Sequence, residues 1–266
     1  MSADLDLLLS LALRMAVAAA FVVTTSIVAE RAGPVIGGLI ATLPVSAGPS
    51  YVFLALDHDS TFIAESALAS FPINAVTMFY SLTYIVLAQR FSAIVSVGGA
   101  IVVWLILAAL QRLVPWSLAS GLIANAVAFA ICVPAFKPFQ NVKMPLITRR
   151  WYDIPLRATV VASLMALVTT LSHWVGPFVS GTLALFPIVL SSMILILHPR
   201  IGGPATAAII ANGVWGMMGF GAAIAVISLT AVPLGSAASL SLALSTSIIW
   251  NLMLWALGRK KMVLAR

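Results

Sequence analysis

The stretch GPVIGGLIATLP (residues 33–44) places a Gly-Pro pair at the head of an apolar run and a second proline eleven residues on. A helix whose only task is to cross a bilayer has no use for that pattern, because each interior proline removes a backbone hydrogen bond. The pattern returns at residues 176–187, GPFVSGTLALFP, in the same spacing. Sliding the chain over itself by 143 residues lays Gly33, Pro34, Gly38, Ala41 and Pro44 on Gly176, Pro177, Gly181, Ala184 and Pro187 without a gap, and Arg14 on Arg157. Looser matches follow: FPINAV (71–76) with IIANGV (209–214), which pairs Asn74 with Asn212, and VVWLILAALQR (102–112) with IIWNLMLWALGR (248–259).

The surrounding composition sets the class. Of 266 residues, 62% are hydrophobic and only 8% charged, against about 25% charged in soluble domains. The apolar runs are continuous rather than alternating, which excludes a β-barrel. The fold class is therefore an all-α polytopic membrane protein. Runs near the bilayer-spanning length are 8–29, 35–56, 62–87, 93–110, 118–136, 158–172, 178–197, 205–230 and 237–257, an expectation of nine helices. The segment MSADLDLLLS has no basic residue ahead of the first run, so 8–29 is read as a retained helix rather than a cleaved leader. The stretch AVPLG (231–235) is read as the turn between the last two helices.

With the N-terminus outside, twelve of the fourteen Lys and Arg fall on one side, which the positive-inside rule makes cytoplasmic. The expected location is a bacterial inner membrane, with the C-terminus in the cytoplasm. The net charge of +7 then reflects orientation and gives no reason to expect a nucleic-acid partner.

The offset of 143 divides the chain into a first repeat (1–112), a linker helix (113–136), a cytoplasmic loop (137–155), a second repeat (156–259) and a basic tail (260–266). Helices 1–4 correspond to helices 6–9. An odd offset of five helices makes the two halves inverted copies, a recurrent architecture of transporters. Inverted repeats also occur in channels, so the architecture alone does not separate carrier from pore.

The run VIGGLIATLPVSAGPSYVFLALDHDSTFIAESALASFPINAV (35–76), with the later VGGAIVVWLILAAL (97–110), resembles the small four-helix GlpM-type bacterial membrane proteins. The likeness rests on a Gly-Leu…Pro pattern (GLIATLP, 38–44), a charged interhelical loop and a late Gly-Ala-apolar-apolar-x-Trp. It covers residues 35–112 well and 176–258 more faintly. The resemblance implies two such units fused through helix 5, and an inner-membrane location. It implies no activity.

Candidate functional residues follow from the interrupted helices. Pro44 and Pro187 each free a carbonyl in mid-span, with Ser46 and Ser50 near the first and Ser191 and Ser192 near the second. These groups can line a substrate site; equally, glycines and prolines can serve close packing and tolerated kinks. Asn74 and Asn212 are expected in mid-helix, on a polar path or as interhelical hydrogen-bonding partners. Arg14 and Arg157 offer planar forks for a carboxylate or phosphate, or reach to the headgroups at a helix end. Glu30 and His173, which the offset pairs, and Glu65 are candidates for proton coupling, with interfacial capping as the plainer role. No metal centre, cofactor motif or reactive constellation is present, so no cofactor and no enzyme activity are expected; the single cysteine, Cys132, lies in the fifth helix.

The function expected from these residues is alternating-access transport of a small, anion-leaning substrate, with proton coupling as an option. The partners are then a small molecule or ion and the bilayer lipids, with a homodimer as an open alternative. A passive channel built from the same repeats, or a non-transporting scaffold for envelope polymer synthesis, are the competing expectations.

Overall fold

A computed structural model of the chain describes residues 3–31, 47–142 and 150–264. The elements are α1 (Ala3–Arg31), α2 (Ala47–Asp57), α3 (Ser60–Leu87), α4 (Ala93–Leu110), α5 (Leu118–Phe136), α6 (Asp153–Ala184), α7 (Ile188–Ile201), α8 (Gly203–Asn212), α9 (Val214–Leu234) and α10 (Ser236–Leu264). No strand occurs among the described residues.

Six segments among them are long and apolar enough to cross a membrane, and Leu11–Thr25 of α1 is a shorter apolar stretch. The protein is a polytopic helical membrane protein. The expected spans 158–172 and 178–197 both lie in one 49-residue segment, Asp153–Ile201. Most of the expected span 35–56, with Pro44 and Ser46, lies outside the described residues, and only its second half is seen, as α2. The expected span 205–230 is helical but bends at Gly213, where α8 gives way to α9.

Three glycines with positive φ make the corners. Gly176 (φ 73°, ψ 179°) divides α6 into two helical parts, Gly202 (φ 84°) separates α7 from α8, and Gly235 (φ 81°) separates α9 from α10. These angles exclude most side chains and suit glycine. The last of them is the turn expected from AVPLG.

The helix α3 is the centre of the molecule. It packs against α4, α5, α6, α8 and α9, and 72% of its most apolar 18-residue window is buried, against 17% for α10. The start of α3 is fixed by Asp59, whose carboxylate accepts the Phe62 N–H at 2.8 Å. The start of α5 is fixed by a reciprocal Ser117–Ser120 capping box. Outer side chains such as Ile94, Leu113, Leu122 and Ile123 are exposed, the apolar surface a lipid environment requires.

Helix directions follow from which residues meet. Ala18 clusters with Phe53 and Met165, while Val22 clusters with Ala158 and Val161, so α1 and the first part of α6 run antiparallel. Gly181 lies against Ser66, Ser191 meets Tyr80 and His198 meets Tyr84, so the interrupted helix 177–201 runs parallel to α3.

Candidate functional site: the polar seam of α3 and its two end clasps

One face of α3 carries Ser66, Ser70, Asn74, Thr77, Ser81 and Tyr84, three or four residues apart, and all are buried. That spacing sets them on one side of the helix. The average apolarity of this stretch hides the pattern, and the sequence reading named only Asn74; polar residues at helical spacing were the available signal.

The seam faces the interruption at Pro187. The helix α6 ends at Ala184, and the Leu185 N–H bonds to the Thr182 and Leu183 carbonyls instead of reaching back four residues to Gly181. The Gly181 carbonyl is thereby freed, and the Ser70 hydroxyl donates to it at 2.7 Å. With its proton so committed, Ser70 accepts from the Tyr51 hydroxyl, 2.6 Å away. Pro187 has ψ 50°, outside the helical range, and α7 starts immediately after it. Ser191 donates to the Pro187 carbonyl at 2.8 Å and so accepts from the Tyr80 hydroxyl, also at 2.8 Å. Further along, Tyr84 and His198 Nδ1 lie 3.0 Å apart.

In mid-seam, Asn74 Nδ2 donates to Asn125 Oδ1 (2.9 Å) and to the Met217 carbonyl (3.2 Å). Asn125 Nδ2 in turn donates to the Phe71 and Gly121 carbonyls, both at 2.9 Å. Asn74 Oδ1 and Ser66 Oγ are buried with no hydrogen-bond partner among the described residues, so the seam keeps unspent polar capacity. Replacing Asn125 with Leu removes one of the two acceptors of the Asn74 amide and the side-chain donor to the Phe71 carbonyl. With interhelical hydrogen bonds in membranes averaging about 0.6 kcal/mol each, the loss should be about 1–2 kcal/mol, read as a lowered Tm in detergent.

A cavity of about 360 Å³ opens between α1, α2, α9 and α10; Tyr51, which meets Ser70 of the seam, lines it together with Phe21, Pro49 and Ile224.

The seam is flanked by two bidentate ion pairs. Arg14 Nη1 and Nη2 bond to Asp57 Oδ2 and Oδ1, the latter at 2.6 Å, clasping α1 to the end of α2. Arg200 Nη1 and Nη2 bond to Asp153 Oδ2 and Oδ1 at 2.7 and 2.5 Å, clasping the end of α7 to the start of α6.

These placements alter several expectations. Arg14 is not a vacant anion site, because Asp57 occupies its fork. Arg157 stands one turn beyond Asp153, near the second clasp. Asn212 does not lie in mid-span beside Asn74: it is exposed at the end of α8 and donates to the Ala208 and Gln140 carbonyls. The unbroken offset of 143 sets Met217 opposite Asn74, and those two residues touch. Ser191 meets Tyr80 of α3, whereas Ser192 turns back onto the Val189 carbonyl (2.9 Å). Ser50 is buried in the first turn of α2. Glu65 is exposed on α3. His173 stands 3.9 Å from Asp57. Pro44, Ser46 and the Glu30 side chain lie outside the described residues. No family model matches the chain, and no curated protein or solved structure is detectably similar to it.

Proposed function

We propose that this protein is a bacterial inner-membrane transporter that moves a small polar substrate by alternating access between two inverted halves, fused from GlpM-like four-helix units. The observation that carries this reading is the helix interrupted at Leu185–Pro187 against the buried polar seam of α3. Non-helical backbone within a bilayer is tolerated where protein or a polar cavity satisfies it, and transporters use such interruptions to hold substrate near the midplane.

Corresponding boundaries support the inverted repeat. The caps Asp59 and Gly202 are 143 residues apart, as are Ser92 and Gly235 and the helix starts Ser60/Gly203 and Ala93/Ser236. The helix α4 touches α7, and α10 touches α2, as a two-fold relation requires. On this reading the chain crosses the membrane nine times with its N-terminus outside, so the Arg14–Asp57 clasp is external and the Arg200–Asp153 clasp cytoplasmic. Asp57 and Arg200 are themselves 143 residues apart, so α2 and α7 each end in an ion pair, with the sign exchanged.

The anionic substrate expected from Arg14 loses support once Asp57 holds that guanidinium. The seam's hydroxyls, amides and carbonyls fit a small, uncharged hydrogen-bonding molecule better. In proteoliposomes challenged with sugars, polyols, amino acids and carboxylates, saturable uptake of one polar class is expected. Tyr80→Phe with Ser191→Ala should reduce that uptake about tenfold or more while leaving folding intact, which corresponds to losing roughly 1.4 kcal/mol of binding or gating energy. Uptake unchanged in that double variant overturns the site, and single-channel currents overturn the carrier.

A further inference from the structure

We propose that the corner where α1, α2 and α6 meet is a proton-binding site, in which His173 takes the proton and shares the Asp57 carboxylate with Arg14. The inference rests on the transporter reading, to which it adds a ligand and a control point.

His173 Nε2 lies 3.9 Å from Asp57 Oδ2, the oxygen that Arg14 Nη1 also engages. The His173 side chain is 54% exposed, whereas Asp57 is 11% exposed. Three elements therefore converge on one carboxylate: Arg14 from α1, Asp57 from the end of α2 and His173 from α6. The other titratable groups at the corner have settled duties. Asp59 is engaged as the cap of α3 through the Phe62 N–H.

His58 stacks on Phe62 at 3.8 Å, and its ring centre lies 4.9 Å from that of His173. Ser172 donates its proton to the Thr169 carbonyl, so His58 Nε2, 2.8 Å away, is the donor to Ser172. Burial, and then the neighbouring His173, hold His58 below the usual histidine range.

The sign is simple electrostatics. An imidazolium beside a carboxylate adds attraction, so acid ties α6 to the corner that Arg14 already ties to α1, and rising pH releases the second tie. The opposite clasp has no histidine at its carboxylate among the described residues. Asp153 meets Arg200 and the Arg150 N–H, Arg157 stands one turn on, and Tyr152 accepts from Arg150 at 2.8 Å. Those groups do not change charge near neutrality. Acid therefore strengthens the corner at Asp57 and leaves the Arg200–Asp153 pair unchanged, which gives an alternating device a direction.

Hydrogen exchange by mass spectrometry on the full chain in nanodiscs, at about pH 5.5 and about pH 8 and corrected for intrinsic exchange, tests this. Peptides covering residues 54–62 should be protected at the acid pH by roughly two- to fivefold, the worth of a part-exposed ion pair. Peptides covering 150–157, at the other clasp, should show no such change. His173→Gln should abolish the acid protection, and His58→Gln should keep it. Equal protection at both pH values, or protection that persists in His173→Gln, overturns the proposal. Because exchange is read without any flux, a protein that transports nothing but passes this test would refute the transporter reading and leave the proton site standing.

Discussion

Gly181→Ala should leave little correctly folded protein in the membrane. A Cβ built at Gly181 meets the Ser66 carbonyl oxygen at 2.0 Å and its carbon at 2.8 Å. Both atoms belong to the backbone of α3, so no side-chain rotation relieves the contact; the helices would have to separate by roughly 1 Å or more. Separation stretches the Ser70 bond to the Gly181 carbonyl and loosens the packing that orders the interruption at Pro187. Overpacking of this kind costs on the order of 3 kcal/mol, a large share of an ordinary protein's stability. Gly98→Ala is the control, since nothing lies within 4 Å of a Cβ there; helix propensity makes it neutral to mildly stabilising. Thermal unfolding in detergent, with fluorescence size-exclusion profiles, reads both variants. A Gly181→Ala protein as stable as Gly98→Ala would show that the α3–α6 contact is looser than described.

The second large effect concerns the clasps. Asp57→Asn leaves the Arg14 guanidinium, 23% exposed, without its carboxylate. Removing one partner of such a pair costs more than removing both, because the surviving charge stays desolvated. With discount for its partial exposure, the single variant should lose about 1–2 kcal/mol. Adding Arg14→Gln should recover most of that loss. The same ordering, single worse than double, is expected for Asp153→Asn and Asp153→Asn/Arg200→Gln. If each double variant is as damaged as the sum of its singles, the pairs are separate surface charges and not clasps.

Much of the architecture was legible in the chain, for reasons that particular residues make plain. Continuous apolar runs forced helices, the Gly-Pro pattern located the corner at Gly176, and Pro187 interrupted its helix where a missing N–H should. The seam was harder to see because its six polar residues are diluted by Phe, Ile and Val on the other faces of α3. The partner of Arg14 was out of reach for a different reason: Asp57 lies 43 residues away in a helix-end position, and only tertiary packing selects which arginine it meets. The Asn74–Asn212 pairing followed a short string likeness that breaks the 143-residue register. The unbroken register would have set Asn74 against Met217, where the helices cross.

The helix α3 is the least apolar of the six spanning segments and also the most enclosed. Those two properties are linked through biogenesis. A segment with six polar groups along one face gains little by leaving the insertion machinery alone for lipid. Asn74, Tyr84 and the Ser70 hydroxyl proton find their tertiary partners on α5, the interrupted helix and α9, and these are all synthesised after it. The helix should therefore linger at the interface or in the translocon until the second half of the chain emerges. A chain truncated after α4 would then leave α3 poorly inserted, even though most of its residues are hydrophobic.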